Sequence, residues 1–208
     1  DTPNKIKISK EIIATLPIET FPGKIVVIDN ERDADNAVLQ LNNERIIGFD
    51  TETRPTFKKG KSNHVALIQL STHDTCYLFR INRIGFTPAI KNLLENESLL
   101  KVGISLKDDF CMLSRLNGGQ FIPKNFIELQ KFVKKYNIED QSLQKIYGIV
   151  IGKKISKGQR LSNWEADHLT ENQQLYAATD AWSCIKIYEV LKSGKFKSPI
   201  YKIQPSSL

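Results

Sequence analysis

Residues 45–52 read RIIGFDTE. Ile46, Ile47, Gly48 and Phe49 form a short apolar run, and the run ends in Asp50 and Glu52 with Thr51 between them. An apolar run this short reads as a buried strand. On an extended chain, positions i and i+2 point to the same face. Asp50 and Glu52 therefore converge at the end of that strand. Two like charges side by side are costly unless a cation offsets them. Paired carboxylates of this kind suit hard, oxygen-seeking ions such as Mg²⁺ or Mn²⁺. The plain alternative is a strand that ends in a polar loop with two solvated acids.

Working outward, KIVVID at 24–29 reads as a strand and 33–43 as a helix, with Ala34, Ala37, Val38 and Leu41 at helical spacing. HVALIQLS at 64–71 and the apolar stretch 76–79 are further strands, joined by the polar turn 72–75. Residues 88–96 form a helix with Pro88 in its first turn. A short strand over 99–104 leads to a helix over 108–116, which Gly118 and Gly119 end. A last strand is expected over 126–129. Leu143, Ile146 and Ile149 sit at helical offsets, and 153–163 is a basic loop. Thr170 and Gln173 form a capping-box pattern that opens a final helix to about Leu191. Three consecutive strands imply antiparallel pairing, and the later alternation implies parallel crossovers. The expectation is an α/β fold: a mixed sheet flanked by helices, with a helical second half. The domain spans 24–192, between an N-terminal extension at 1–23 and a basic C-terminal tail at 193–208.

Two further acidic features stand on these elements. Asp108 and Asp109 open the helix after KVGISL, where an acid also simply meets the helix dipole. Tyr176 and Asp180, at i and i+4, share one face of the final helix, with Ala178, Trp182 and Ile185 roughly opposite. A buried Tyr bonded to an Asp one turn away would be structural only. Asp50, Glu52, one of Asp108 and Asp109, and Asp180 make four carboxylates that can meet. Four carboxylates can hold two divalent ions about 3.5–4 Å apart, a geometry suited to phosphoryl transfer.

The stretches FDTE (49–52), SLKDD (105–109) and YAATD (176–180) resemble the three exonuclease motifs of the DEDD superfamily. A Tyr four residues before the last Asp is similar to the DEDDy branch, which includes ribonuclease D and the proofreading domains of DNA polymerase I. HVALIQL (64–70), LSNW (161–164) and LTENQQLYAATDA (169–181) resemble the Werner-type exonuclease domains and their stand-alone relatives. The likeness spans residues 24–192. It implies a ribonuclease H-like three-layer fold, two Mg²⁺ or Mn²⁺ ions, and hydrolysis of a nucleic acid from its free 3′ end to nucleoside 5′-monophosphates, with DNA favoured. It implies Asp50, Glu52, Asp109 and Asp180 as metal ligands, Asp50 bridging, and Tyr176 orienting the attacking water. Proofreading domains read N-L-K-Y-D in the second motif, which places Asp109 at the ligand position. A shorter approach, as in Werner-type chains, would place Asp108 there instead.

The 208 residues carry 30 Lys and Arg against 23 Asp and Glu, a net charge of +7 that favours a polyanionic partner. Lys58, Lys59 and Lys61 follow the first motif, and Lys153, Lys154, Lys157 and Arg160 precede the third; either cluster could track phosphates or simply be solvated. Phe57 and Trp164 are candidates for stacking a base. Cys111 and Met112 read as packing residues, and His64, His73 and His168 have no metal-ligand spacing. Apolar residues at 40% exclude a disordered chain. The three cysteines form no CxxC pair, which points to a reducing, intracellular compartment. No apolar run approaches the roughly 20 residues of a membrane span, so no membrane partner is expected. A haloacid-dehalogenase-type phosphatase would need Asp where Glu52 stands. No GxxxxGK[ST] loop supports an NTPase. The remaining alternatives are a ribonuclease D-like enzyme trimming RNA 3′ ends and a silent nucleic-acid-binding module.

Overall fold

The structure, a computed structural model, describes residues 5–61 and 63–197. Residues 198–208 of the expected basic tail lie outside them. In chain order the elements are α1 (Lys10–Thr15), β1 (Lys24–Ile28), α2 (Glu31–Leu41), β2 (Ile46–Thr53), β3 (Val65–Ser71) and β4 (Thr75–Phe79). Then follow α3 (Ile81–Ile84), α4 (Pro88–Leu94), β5 (Leu100–Gly103), α5 (Leu106–Leu116) and β6 (Phe126–Glu128). The helical second half holds α6 (Leu129–Phe132), a 3-10 turn (Val133–Tyr136), α7 (Leu143–Ile151) and α8 (Glu171–Lys192).

The six strands form one sheet in the order β1-β4-β3-β2-β5-β6. β3 runs antiparallel to both its neighbours, while the β1–β4, β2–β5 and β5–β6 pairs are parallel. This is the mixed sheet expected from the strand pattern. Helices cover both faces. Ile47 and Phe49 of β2 pack with Ala37 and Leu41 of α2 and Ile90 and Leu94 of α4. Ile46, two positions before Gly48, packs on the other side with Ile146 of α7 and Ile185 of α8. The period-2 alternation of a strand thus assigns Gly48, Asp50 and Glu52 to the α8 side.

β2 is longer than the apolar run at 46–49 that predicts it. It continues through Thr53, so Asp50 and Glu52 lie within the strand rather than after it. The reason is its partner. β3 pairs with β2 from Gly48 to Thr53, whereas β5 pairs only from Ile46 to Gly48. Beyond Gly48 one edge of β2 is therefore open, and a crevice forms where β5 turns away into α5. Open α/β sheets bind ligands in such a crevice at the carboxyl ends of parallel strands. Residues 5–23 lie against the helical half. Ile8 joins the α7 core, and Phe21 is buried edge-on against Trp182 at 5.7 Å. Among the described residues no helix is long and apolar enough to cross a membrane.

Candidate active site

The site begins with a glycine. A Cβ at Gly48 would stand 1.9 Å from the Ala181 carbonyl oxygen. Only glycine lets α8 press this closely on β2. The contact brings Asp180, adjacent to Ala181, down onto Asp50. The Thr170–Gln173 capping box is formed with both reciprocal bonds, which fixes where α8 starts and hence which residues meet the sheet. Gln173 also donates to Ser162 Oγ at 3.0 Å and to the Asn163 carbonyl at 3.1 Å, tying the basic loop to the helix start. α8 is buried on nearly every face, including Tyr176, Ala178, Asp180 and Trp182. The Tyr176–Asp180 face meets the acids of the sheet, and the stripe of Ala178, Trp182 and Ile185 is buried as well.

One carboxylate oxygen each from Asp50, Glu52 and Asp180 lies within 4.8 Å of the others. Gln69 on β3 donates to Glu52 Oε1 at 3.2 Å and reaches Asp50 Oδ2 at 3.5 Å. Asp180 Oδ1 is buried with no hydrogen-bond partner. Burial, then the neighbouring Glu52, Asp180 and Asp109, hold Asp50 well above the usual carboxylate range. Burial and Asp180 do the same to Glu52. Burial pushes Asp180 up to about 8, against a stabilising contact from Tyr176. Burial also raises the Tyr176 hydroxyl, with Asp180, Glu52 and Asp50 adding to the effect. It remains a protonated donor at neutral pH. Three crowded carboxylates and an unpartnered buried oxygen are the donor set of a hard divalent cation. The residues fit such an ion.

Asp109 approaches from the opposite side of the crevice. Its Oδ1 accepts a short hydrogen bond from Thr51 Oγ1, and burial pushes its carboxyl up to about 7. Its charge bears on both Asp50 and Glu52. Asp108 also lines the cleft, but it is exposed. Asp109 stands outside the tight group of three yet faces the same open cleft of about 590 Å³.

A family model described as 3′-5′ exonuclease matches residues 25–194. The chain belongs to that 3′-5′ exonuclease family. The bifunctional 3′-5′ exonuclease/ATP-dependent helicase WRN of Mus musculus is 36% identical over 203 residues, covering 91% of this chain and 14% of that protein. The exonuclease mut-7 homolog of Aedes aegypti is 27% identical over 187 residues, covering 78% of this chain and 26% of that protein. The chain thus spans a minor part of these curated relatives. The Aedes aegypti Nibbler EXO domain superposes with a TM-score of 0.75 at 23% identity, covering 84% of this chain and 91% of that one. Escherichia coli RNase D superposes with a TM-score of 0.73 at 20% identity, covering 83% and 45%. These two establish the shared ribonuclease H-like fold.

In this member of the family the cationic candidates part company. Lys157 and Arg160 line the acidic cleft. Lys58 and Lys61 line an adjoining groove with Phe57, which is 89% exposed, and Lys59 is exposed on the same loop. The structure does not bring Lys153 or Lys154 to the cleft. Lys153 pairs with Glu19 at 3.3 Å, and Lys154 Nζ donates to the Ala14 carbonyl at 3.1 Å. Trp164 is fully buried, 6.0 Å from the Tyr176 ring, so it supports the tyrosine and cannot stack a base. Cys111 is exposed rather than packed, whereas Met112 packs against the core as expected and also lines the cleft. None of the three histidines belongs to the acidic group. Gly48, Thr51 and Gln69 were not singled out from the sequence. A lone amide in the otherwise apolar run HVALIQL was the available signal for Gln69.

Proposed function

We propose that this exonuclease hydrolyses the terminal phosphodiester at the free 3′ end of a nucleic acid, DNA in preference to RNA, and releases nucleoside 5′-monophosphates. The observation that carries the reading is the convergence of Asp50, Glu52 and Asp180, together with a buried Asp180 oxygen that has no hydrogen-bond partner. Asp50, Glu52, Asp109 and Asp180 would hold two divalent ions, Mg²⁺ or Mn²⁺, with Asp50 shared between them. Such ions supply a water nucleophilic at neutral pH and a counter-charge for the leaving 3′ oxygen. Tyr176 is too weak an acid to act as a base here; its hydroxyl orients the attacking water. Gln69, with the Thr51 amide that donates to Asp50 Oδ1 at 2.9 Å, holds Asp50 and Glu52 in a fixed orientation. Lys157 and Arg160, on the cleft wall, attract the phosphate and offset the charge of the four acids. The likeness of residues 64–70, 161–164 and 169–181 to Werner-type domains supports DNA, and the RNase D fold keeps RNA as the competing substrate.

Gel-resolved digestion of 5′-labelled recessed-3′ DNA, single-stranded DNA and matching RNA tests this. The expected result is a ladder shortening from the 3′ end, faster on DNA, abolished by EDTA and by Asp50→Ala. Intact substrate with retained binding would instead establish a silent binding module, and faster loss of RNA would reverse the substrate assignment.

A further inference from the structure

The second acid of the crevice, Asp109, is placed by a residue that lies outside all three motif stretches. β5 turns into α5 in two residues, and the second, Ser105, sits in the left-handed region at φ 55° and ψ 48°. Its side chain caps nothing. The amide groups at the start of a helix have no partner within the helix. Here two of them are taken by Glu128, at the end of β6, the strand next to β5 in the sheet. Glu128 Oε1 accepts from Ser105 N and Oε2 from Leu106 N, both at 2.9 Å. Oε1 also accepts from Gln130 N at 3.1 Å, which caps the start of α6. One carboxylate therefore ties together the starts of two helices that border the cleft, α5 with Asp108 and Asp109, and α6 with Gln130.

The other capped helices use a different device. α1, α2, α4, α7 and α8 are each capped by a neutral side chain adjacent in sequence: Ser9, Asn30, Thr87, Ser142 and Thr170. A local cap satisfies the amides but leaves the helix free to shift as a body with its own loop. A bidentate carboxylate from the neighbouring strand fixes both the position and the rotation of the helix start against the sheet. Asp109 stands one turn beyond the grip, against Thr51 of β2. Gly103 completes the corner: a Cβ there would press on Leu106 Cδ2 at 2.6 Å and on the Phe49 carbonyl at 3.0 Å.

We propose that Glu128 is a positioning residue. It sets the place of Asp109 relative to Asp50 and Glu52 and thereby sets the affinity of the site for divalent metal. This rests on the reading of Asp109 as a ligand in the proposed function. Groups that orient metal ligands without touching the ion typically change metal affinity 10–100-fold when removed.

The test is calorimetric titration of Mn²⁺ into the wild type, Asp109→Asn, Glu128→Ala, Glu128→Gln and the Glu128→Ala/Asp109→Asn pair, beside amide hydrogen exchange without metal. Glu128→Ala is expected to weaken Mn²⁺ binding at least about 10-fold and to release the Ser105 and Leu106 amides to exchange. Glu128→Gln, which keeps one good acceptor, is expected to lie between it and the wild type and serves if the alanine variant does not fold. In the Asp109→Asn background the Glu128 change is expected to have little further effect, because its path to the metal is already cut. Wild-type affinity in both Glu128 variants would overturn the proposal. So would a Glu128 effect of full size in the Asp109→Asn background, which would mark a general loss of structure. Wild-type affinity in Asp109→Asn would overturn the ligand reading of Asp109 and the proposal with it, while a Glu128 failure beside a weakened Asp109→Asn would leave the exonuclease reading standing.

Discussion

Tyr176 is buried beside Asp180, with its hydroxyl held protonated by its surroundings. A protonated hydroxyl can position water but cannot take its proton. Tyr176→Phe keeps the ring on Trp164 and removes only the donor. Its turnover is expected to fall about 10²-fold, with Mn²⁺ affinity essentially unchanged. Single-turnover rates beside a metal titration check this, and an unchanged rate would remove the tyrosine from the chemistry. The residues whose meeting could be read from the sequence are those joined by local periodicity. Asp50 and Glu52 share a face because strands repeat every two residues, and Tyr176 and Asp180 because helices repeat near four. Choosing between Asp108 and Asp109 needed the rotation of α5, which the sequence left open; in the fold only Asp109 meets Thr51. Gln69 was hidden for another reason: its partners Asp50 and Glu52 are 19 and 17 residues away, and only the cross-strand register brings them together.

At the level of elements, the site depends on how closely α8 crosses β2. Gly48→Ala would place a methyl group on the Ala181 carbonyl and lift the helix from the strand. Overpacking of this kind costs about 2 kcal/mol. Chemical denaturation is expected to register that loss, and activity to fall further than stability, because Asp180 rides on the displaced segment. Wild-type activity in Gly48→Ala would mean that α8 can shift without disturbing the acids. Most elements were legible from apolar periodicity and caps, including the Thr170 start of α8. Others were not, α1, α6 and the 3-10 turn among them. The extension of β2 through Thr53 follows from pairing with β3, a tertiary effect that overrides the polar composition of 50–53. The four residues of α3 are too few to carry a period.

For the molecule as a whole, the crowded acids set a dependence of stability on pH and metal. Burial raises Asp109 from 3.8 to about 7 and Asp180 from 3.8 to about 8. The folded, metal-free chain therefore holds protons that the unfolded chain has released. The contribution of these two groups to stability is fully present below the unfolded value and is lost as pH rises from about 4 to about 8. A divalent ion removes the repulsion, so the melting-temperature gain from Mg²⁺ over EDTA is expected to grow across that range. A gain independent of pH would place the ion elsewhere. Residues 5–23 also belong to this scale. Phe21 packs on Trp182, and its amide donates to Thr179 Oγ1 at 2.9 Å, one residue from Asp180. Phe21→Ala is expected to lower unfolding stability by about 3 kcal/mol, as read by denaturant titration. Their composition gave no sign of this docking, because the partner surface is assembled from α7 and α8 far along the chain. Anomalous scattering from crystals soaked in Mn²⁺ tests the proposed two-metal centre most directly. Two peaks about 3.5–4 Å apart are expected, both against Asp50, with Glu52, Asp109 and Asp180 completing the ligands. Manganese bound elsewhere, with none at Asp50 and Glu52, would contradict it.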